Sequence, residues 1–278
     1  MKPDRKNFSQ ILRVESGRKP NLSGRAAEST FKWSKDKARD CTELNLKKLE
    51  ELQYQLYADG SKSMLIVLQG IDTSGKDGVI RKVFTAFNPQ GTHVTSFKAP
   101  VGRELMHDFL WRTHAALPVR GSVGIFNRSY YEDLIVPMLN DSFSRSQLTD
   151  RAEHIKNFEK MLTDEGTIVL KFLLHISKDE QWDRLMERLD EPNRNWKFRM
   201  GDLAERKRWE KYMTTFSKIV SMTSTSYAPW YVVPANSKWF RDFAVSEVVR
   251  SSLQAMNLKW PKPSADINLA RSQLKRLK

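Results

Sequence analysis

The chain has 278 residues, 40% apolar and 29% charged, long enough for one large α/β domain and unlike a collagen, a low-complexity chain or a mostly disordered one. No run of about 18 apolar residues occurs, so no transmembrane helix is expected, and the opening MKPDRKNFSQ lacks the apolar stretch of a signal peptide. A single cysteine, Cys41, excludes an internal disulfide and a cysteine-cluster metal site, and suits a reducing, cytoplasmic setting.

The net charge is +14, of which residues 1–40 hold +6 and residues 259–278 hold +5. Both ends lack sustained apolar periodicity. They read as mobile basic tails, 1–30 and 261–278, flanking a central domain at 31–260. Such ends suit an anionic partner, and equally suit solubility alone. A rival reading packs the N-terminal arm on a neighbouring subunit through Phe8, Ile11, Leu12 and Val14.

Elements alternate along the middle of the chain. Cys41–Ala58 is helical, with leucines at 44, 46, 49, 52 and 56 along roughly one face. Strand Met64–Gln69 and helix Asp77–Asn88 follow, then strand His93–Phe97 and helix Arg103–Ala115. Strand Ser122–Asn127, helix Asp150–Asp164, strand Thr167–Leu174 and helix Asp179–Leu189 come next. Helix Asp202–Met222, strand Trp230–Pro234 and helix Ser237–Met256 complete the pattern. Nearly continuous apolar strands separated by helices mean βαβ units, a parallel sheet buried on both faces and a three-layer α/β fold. Residues 184–211 stand apart, with nine Lys/Arg, six Asp/Glu and a break at Asp190-Glu191-Pro192-Asn193. An arginine-rich helix–break–helix suits a lid closing over phosphates. Taken alone, it also reads as a solvated charged hairpin.

The strongest motif is Gly70-Ile71-Asp72-Thr73-Ser74-Gly75-Lys76-Asp77-Gly78, placed between a strand and a helix. Its G-x-x-x-x-G-K spacing is that of a phosphate-binding loop. Glycines let backbone N–H groups turn toward an anion, the helix N-terminus adds partial positive charge, and Lys76 adds a full one. Asp77 replaces the usual Ser or Thr, so a carboxylate stands where a hydroxyl would touch Mg²⁺. Two acids beside bound phosphates require a metal to bridge them, and Mg²⁺ is the expected one. A second ligand is expected from the end of the third strand, Asn127-Arg128-Ser129-Tyr130-Tyr131-Glu132-Asp133. Asp133 is the candidate and Glu132 the alternative, with Arg128 a two-pronged phosphate ligand. The five histidines are scattered without metal-ligand spacing.

The segments GIDTSGKDG at 70–78, FNRSYYED at 126–133, DEGTIVLKFLLHISKDEQ at 164–181, WKFRMGDL at 196–203 and YAPWYVVPANSKWFRDF at 227–243 resemble the polyphosphate kinase 2 family. The resemblance runs from about residue 30 to about residue 260, and the Asp after the loop lysine is a family feature. It implies an α/β, three-layer P-loop kinase fold, thymidylate-kinase-like, with a parallel sheet and an arginine-rich helical lid. It also implies Mg²⁺-dependent, reversible phosphoryl transfer between inorganic polyphosphate and adenine or guanine nucleotides, by a homo-oligomer (dimer or tetramer). Asp72 and Asp133 would organise metal and nucleotide phosphates. Lys76, Arg128 and lid residue Arg188 would hold the transferring phosphoryl group, and Asn127 would line the acceptor pocket. Gly70, Ser74, Gly75, Asp77 and Gly78, with Lys197, Arg199 and Arg208 of the lid, complete the expected phosphate and nucleotide contacts. Neither nucleic acid nor a membrane is an expected partner. Two rivals remain open: an ATP-dependent nucleoside or nucleotide kinase, and a non-catalytic polyanion-binding protein.

Overall fold

The structure, a computed structural model, describes residues 8–277. All seven residues of β2 (Ser63–Gln69) are buried, as an apolar strand at the centre of a parallel sheet must be. Around it run β1 (Arg13–Val14), β3 (Thr92–Ser96), β4 (Val123–Asn127), β5 (Thr167–His175) and β6 (Trp230–Pro234), in the order β1-β6-β5-β2-β4-β3. Every pairing is parallel except that of β1 with β6. From β2 the chain crosses to β3 and β4 on one side, then to β5 and β6 on the other. The loop leaving β2 therefore opens at the switch point, where the adjacent connections diverge and leave a crevice.

Helices cover both faces. One layer holds α1 (Phe8–Leu12), α3 (Lys35–Asp59), α4 (Lys76–Val83) and α11 (Lys238–Ala255); the other holds α6 (Glu132–Asn140), α7 (Arg145–Asp164) and α10 (Trp209–Thr223). The remaining helices are α2 (Gly24–Glu28), α5 (Trp111–Ala115), α8 (Lys178–Asp190), α9 (Met200–Lys207) and α12 (Ile267–Arg276). Among the described residues, no helix is long and apolar enough to cross a membrane.

The five strands read from sequence are present, with ends shifted by one residue or less. The helices differ more. The expected helix Arg103–Ala115 is a 3₁₀ turn, Gly102–Met106, followed by α5; the expected helix Asp202–Met222 is broken at Arg208 into α9 and α10. Helix α6 was not expected, and Pro137 lies inside it. In α3 the leucine face is narrower than expected: Leu49, Leu52 and Leu56 are buried, whereas Leu44 is 57% exposed.

The main correction concerns the N-terminal arm. Ten consecutive residues of α11, Phe240–Val249, are buried, so this helix needs cover on every side. Residues read as a mobile tail supply part of it. Phe8 packs on Phe243 with ring centroids 5.0 Å apart and on Phe240 at 6.0 Å, and Trp33 packs on Phe243 at 4.3 Å. β1 then adds an antiparallel strand to the β6 edge, Arg13 opposite Tyr231 and Val14 opposite Trp230. Phe8 and Leu12 thus fill the core of their own chain instead of reaching a neighbouring subunit. Residues 1–7 of the expected arm lie outside the described residues. At the other end, the expected basic tail forms α12, which buries none of its side chains.

Replacing Phe8 by Ala removes a fully buried ring and should cost about 3–5 kcal/mol of stability, measured by urea unfolding. A loss below about 1 kcal/mol, the usual range of surface substitutions, would show that the segment is not part of the cooperative core.

Candidate active site

The loop after β2 wraps round the start of α4 under two conformational constraints. Thr73 holds φ +68° and Gly75 φ +101°, both left-handed. A Cβ on Gly75 would lie 2.1 Å from Nη1 of Arg241, and one on Gly78 would lie 3.0 Å from its Nη2. These two glycines therefore let the Arg241 guanidinium, carried by α11, lie flat against the loop. Asp242 accepts from Arg241 Nε at 2.9 Å and Nη2 at 2.7 Å, which fixes the fork. Arg184 of α8 braces the loop from another side, donating to the carbonyls of Thr73 at 2.8 Å, Ala235 at 2.6 Å and Asn236 at 3.0 Å.

Lys76 Nζ folds back on the carbonyls of Gly70 at 2.8 Å and Ile71 at 3.3 Å. The hydroxyls of Thr73 and Ser74 are buried beside it and have no hydrogen-bond partner. Asp77 faces outward: its carboxylate accepts from Asn127 Nδ2 at 2.9 Å and pairs with Lys197 of the lid at 3.4 Å. A cavity of about 810 Å³ opens beside the loop. Nine Lys and Arg side chains line it, among them Lys76, Arg184, Arg188, Lys197 and Arg241, against four acids, Asp72, Asp77, Glu187 and Asp242.

Arg128 leaves the end of β4 in a left-handed conformation, φ +61°, and donates to Asp72 Oδ1 at 2.6 Å. It also lies 3.7 Å from Glu132 and 4.0 Å from Glu205 of α9. Glu205 in turn accepts from the Asp72 backbone N–H at 3.3 Å, and Asp202 pairs with Arg188 at 3.2 Å. The lid helix thus brings two acids down onto the loop. Burial pushes the Asp72 carboxyl up, but Lys76 and Arg128 outweigh it and hold the group below its usual range. Burial, then the charge of Asp72, raises Asp202, and the same two causes raise Glu205 to about 7. Burial and the neighbouring Arg128 lower Lys76, against the pull of Asp72, Glu132 and Glu205.

The expected site residues are not all brought together. Glu132 and Asp133 open α6, where successive side chains diverge by about 100°. Glu132 turns toward Arg128. Asp133 turns to Arg112 at 3.8 Å and Arg151 at 3.9 Å, in a second cavity of about 570 Å³ that Phe109 and Phe143 also line. Arg208 reaches away from the loop to Asn140 at 3.0 Å. Arg199 is exposed, and only its backbone N–H contributes, donating to Asp202. Four residues absent from the expected site belong to it: Arg184, Arg241, Asp202 and Glu205. The one signal for Arg241 was Gly78, a second glycine just inside a helix that had no turn to make.

A phosphate loop at the switch point of a parallel sheet, faced by a cationic lid, defines a P-loop kinase. The model of the polyphosphate kinase 2 (PPK2) family matches residues 32–261, and the chain belongs to that family. It is 46% identical over 235 residues to the AMP/ADP-polyphosphate phosphotransferase of Meiothermus ruber, covering 84% of this chain and 88% of the relative. It is 40% identical to the ADP-polyphosphate phosphotransferase of Rhodopseudomonas palustris, over 90% and 91% of the two chains. The crystal structure of polyphosphate kinase 2 from Arthrobacter aurescens TC1 superimposes with a TM-score of 0.92 at 40% identity, covering 97% of this chain and 96% of that one. The motif resemblance and the fold it implied are thus both supported.

Lys76→Ala should lower kcat by at least about 100-fold, since a cation at the transferring phosphate is worth a few kcal/mol. Circular dichroism should be unchanged, because Lys76 bonds only loop carbonyls. Near-wild-type turnover would remove the loop from the mechanism.

Proposed function

We propose that this protein catalyses Mg²⁺-dependent, reversible phosphoryl transfer between inorganic polyphosphate and purine nucleotides. The observation that carries the reading is the cation-lined cavity running from Lys76 along the lid, because a chain of linked phosphates needs many cations in succession. The relatives' names, an AMP/ADP- and an ADP-polyphosphate phosphotransferase, support polyphosphate and nucleotide substrates, and AMP and ADP are the acceptors to try first.

In the forward direction an oxygen of the acceptor's terminal phosphate attacks the end phosphorus of the polyphosphate in line. The bond to the next phosphate breaks, and the shortened chain leaves as an anion. The attacking oxygen is already deprotonated near neutral pH, so no strong general base is needed and no covalent enzyme intermediate forms. The transition state spreads charge over equatorial oxygens, which makes positioning and cations the whole of catalysis. Lys76 exchanges the carbonyls of Gly70 and Ile71 for phosphate oxygens, and Arg128 and Arg188 exchange Asp72 and Asp202 for the same ligands. Arg184 and Arg241 keep the loop in shape.

The donor set fits Mg²⁺. Among the described residues, no three His, Cys, Asp or Glu are grouped to hold a metal unaided. Mg²⁺ is commonly held by one or two carboxylates together with phosphate oxygens and water. Asp72 is one such carboxylate. Glu132 is preferred over Asp133 as the other, since Glu132 shares Arg128 with Asp72 whereas Asp133 faces Arg112 and Arg151. When bound, the ion supplies charge neutralisation between phosphate oxygens. Asp133, beside Arg112, Phe109 and Phe143, is then assigned to the acceptor nucleotide.

Two experiments test the reading. Purified protein with ADP, polyphosphate and Mg²⁺ should form ATP; transfer from ATP to a nucleoside, with none from polyphosphate, would favour an ordinary nucleoside kinase. Asp72→Asn and Glu132→Gln should each move half-maximal activity to higher Mg²⁺, while Asp133→Asn should raise the nucleotide KM and leave the Mg²⁺ curve in place. The reverse pattern for Glu132 and Asp133 would return the metal to Asp133.

A further inference from the structure

Beneath the site lies a polar cluster that the chemistry above does not use. Lys171, in the middle of β5, is fully buried on a strand otherwise apolar at its centre. Its Nζ donates to Glu159 Oε2 at 2.6 Å, to the Tyr131 hydroxyl at 3.0 Å and to the Thr223 carbonyl at 2.8 Å. All three donors of the ammonium are thereby used. The other carboxylate oxygen, Glu159 Oε1, accepts from the hydroxyls of both Tyr130 and Tyr131 at 2.8 Å. Tyr130, Tyr131 and Glu159 are buried as completely as Lys171.

Stability is a poor reason for such a cluster. An apolar set of similar volume generally serves a core as well as a buried ion pair, or better. What the cluster controls is position. Tyr130 and Tyr131 are two of the three residues between Arg128 and Glu132, and Arg128 is held at φ +61°. A strained backbone of this kind persists only where its surroundings over-determine it. Two tyrosine hydroxyls converging on one carboxylate oxygen supply that constraint from below. The third partner of Lys171, Thr223, ends α10, the helix that continues the lid from α9. One ammonium therefore ties the segment after β4 to the C-terminal end of α10, the helix that follows the lid.

We infer that Lys171, Glu159, Tyr130 and Tyr131 form a positioning device, which sets the 128–132 segment against the phosphate loop and anchors it to the C-terminal end of α10. It rests on the reading of Arg128 as a ligand of the transferring phosphoryl group. None of the four residues touches substrate; they act through Arg128 and Glu132.

The variant Tyr130→Phe/Tyr131→Phe/Glu159→Leu/Lys171→Met removes all four polar side-chain groups and roughly preserves volume. Its melting temperature, kcat and KM should be compared with those of the wild type and of Arg128→Ala. A melting temperature near or above wild type, with kcat lowered about 10–100-fold and KM for nucleotide and polyphosphate changed less than about threefold, supports the inference. A merely structural cluster gives the opposite pattern: the melting temperature moves and the folded protein keeps its kcat. Wild-type kcat in the folded fourfold variant, with Arg128→Ala inactive, overturns the inference and leaves the active-site reading standing. Wild-type turnover by Arg128→Ala overturns the site reading itself, and the inference falls with it. Should the fourfold variant fail to fold, Tyr131→Phe decides, since it removes one hydroxyl and no ring. A kcat lowered about fivefold or more at unchanged KM supports the device, and a wild-type kcat overturns it.

Discussion

Asp72 and Arg128 meet at 2.6 Å across the gap between the loop after β2 and the end of β4. These two strands are sheet neighbours, so the contact follows from their register: Leu68 lies opposite Asn127, and the next residue on that side is Arg128. The pair is about one-third exposed, too wet to count as a strong stabiliser of the fold. Its value lies in what it holds in readiness. A guanidinium paired with a carboxylate can exchange it for a phosphate, and the carboxylate so released can take a metal ion.

The same kind of pairing repeats around the loop. Lys76 rests on backbone carbonyls, Arg188 on Asp202, and Lys197 on Asp77. In the proposed mechanism substrate phosphates replace these partners: Lys76 would gain an anionic acceptor in place of neutral carbonyls, while Arg188 and Lys197 would trade one carboxylate for a phosphate. Of the lid acids, Asp202 pairs with Arg188, and Glu205, raised to about 7 by burial and by Asp72, lies over the loop beside Arg128. Arg184 and Arg241 differ in kind. They are buried and aimed at the loop backbone, so they shape the anion site from behind, and Gly75 and Gly78 exist to admit one of them.

Much of this was legible in the sequence, for reasons that are local. The strands were visible because buried parallel strands are continuous apolar runs, and the loop because its glycine and lysine spacing has a direct geometric meaning. What was not legible depended on which way a helix faced. Glu132 and Asp133 are neighbours in sequence, and only the start of α6 decides that one faces the loop and the other a second cavity. Arg199 and Arg208 counted as lid cations by composition, but the break at Arg208 turns the latter toward Asn140. The N-terminal segment looked like a tail because its apolar residues are few and spaced irregularly. They suffice because Phe240 and Phe243 on α11 already offer a surface for them.

The central claim is that substrate phosphates replace the protein's own partners around Lys76 and Arg128. A crystal structure of the protein with polyphosphate, ADP and Mg²⁺ tests it most directly. The account predicts phosphate oxygens within hydrogen-bond distance of Lys76 Nζ and the Arg128 guanidinium, with the Arg128–Asp72 contact broken and Asp72 on the metal. Polyphosphate bound elsewhere, with that ion pair intact, would contradict it.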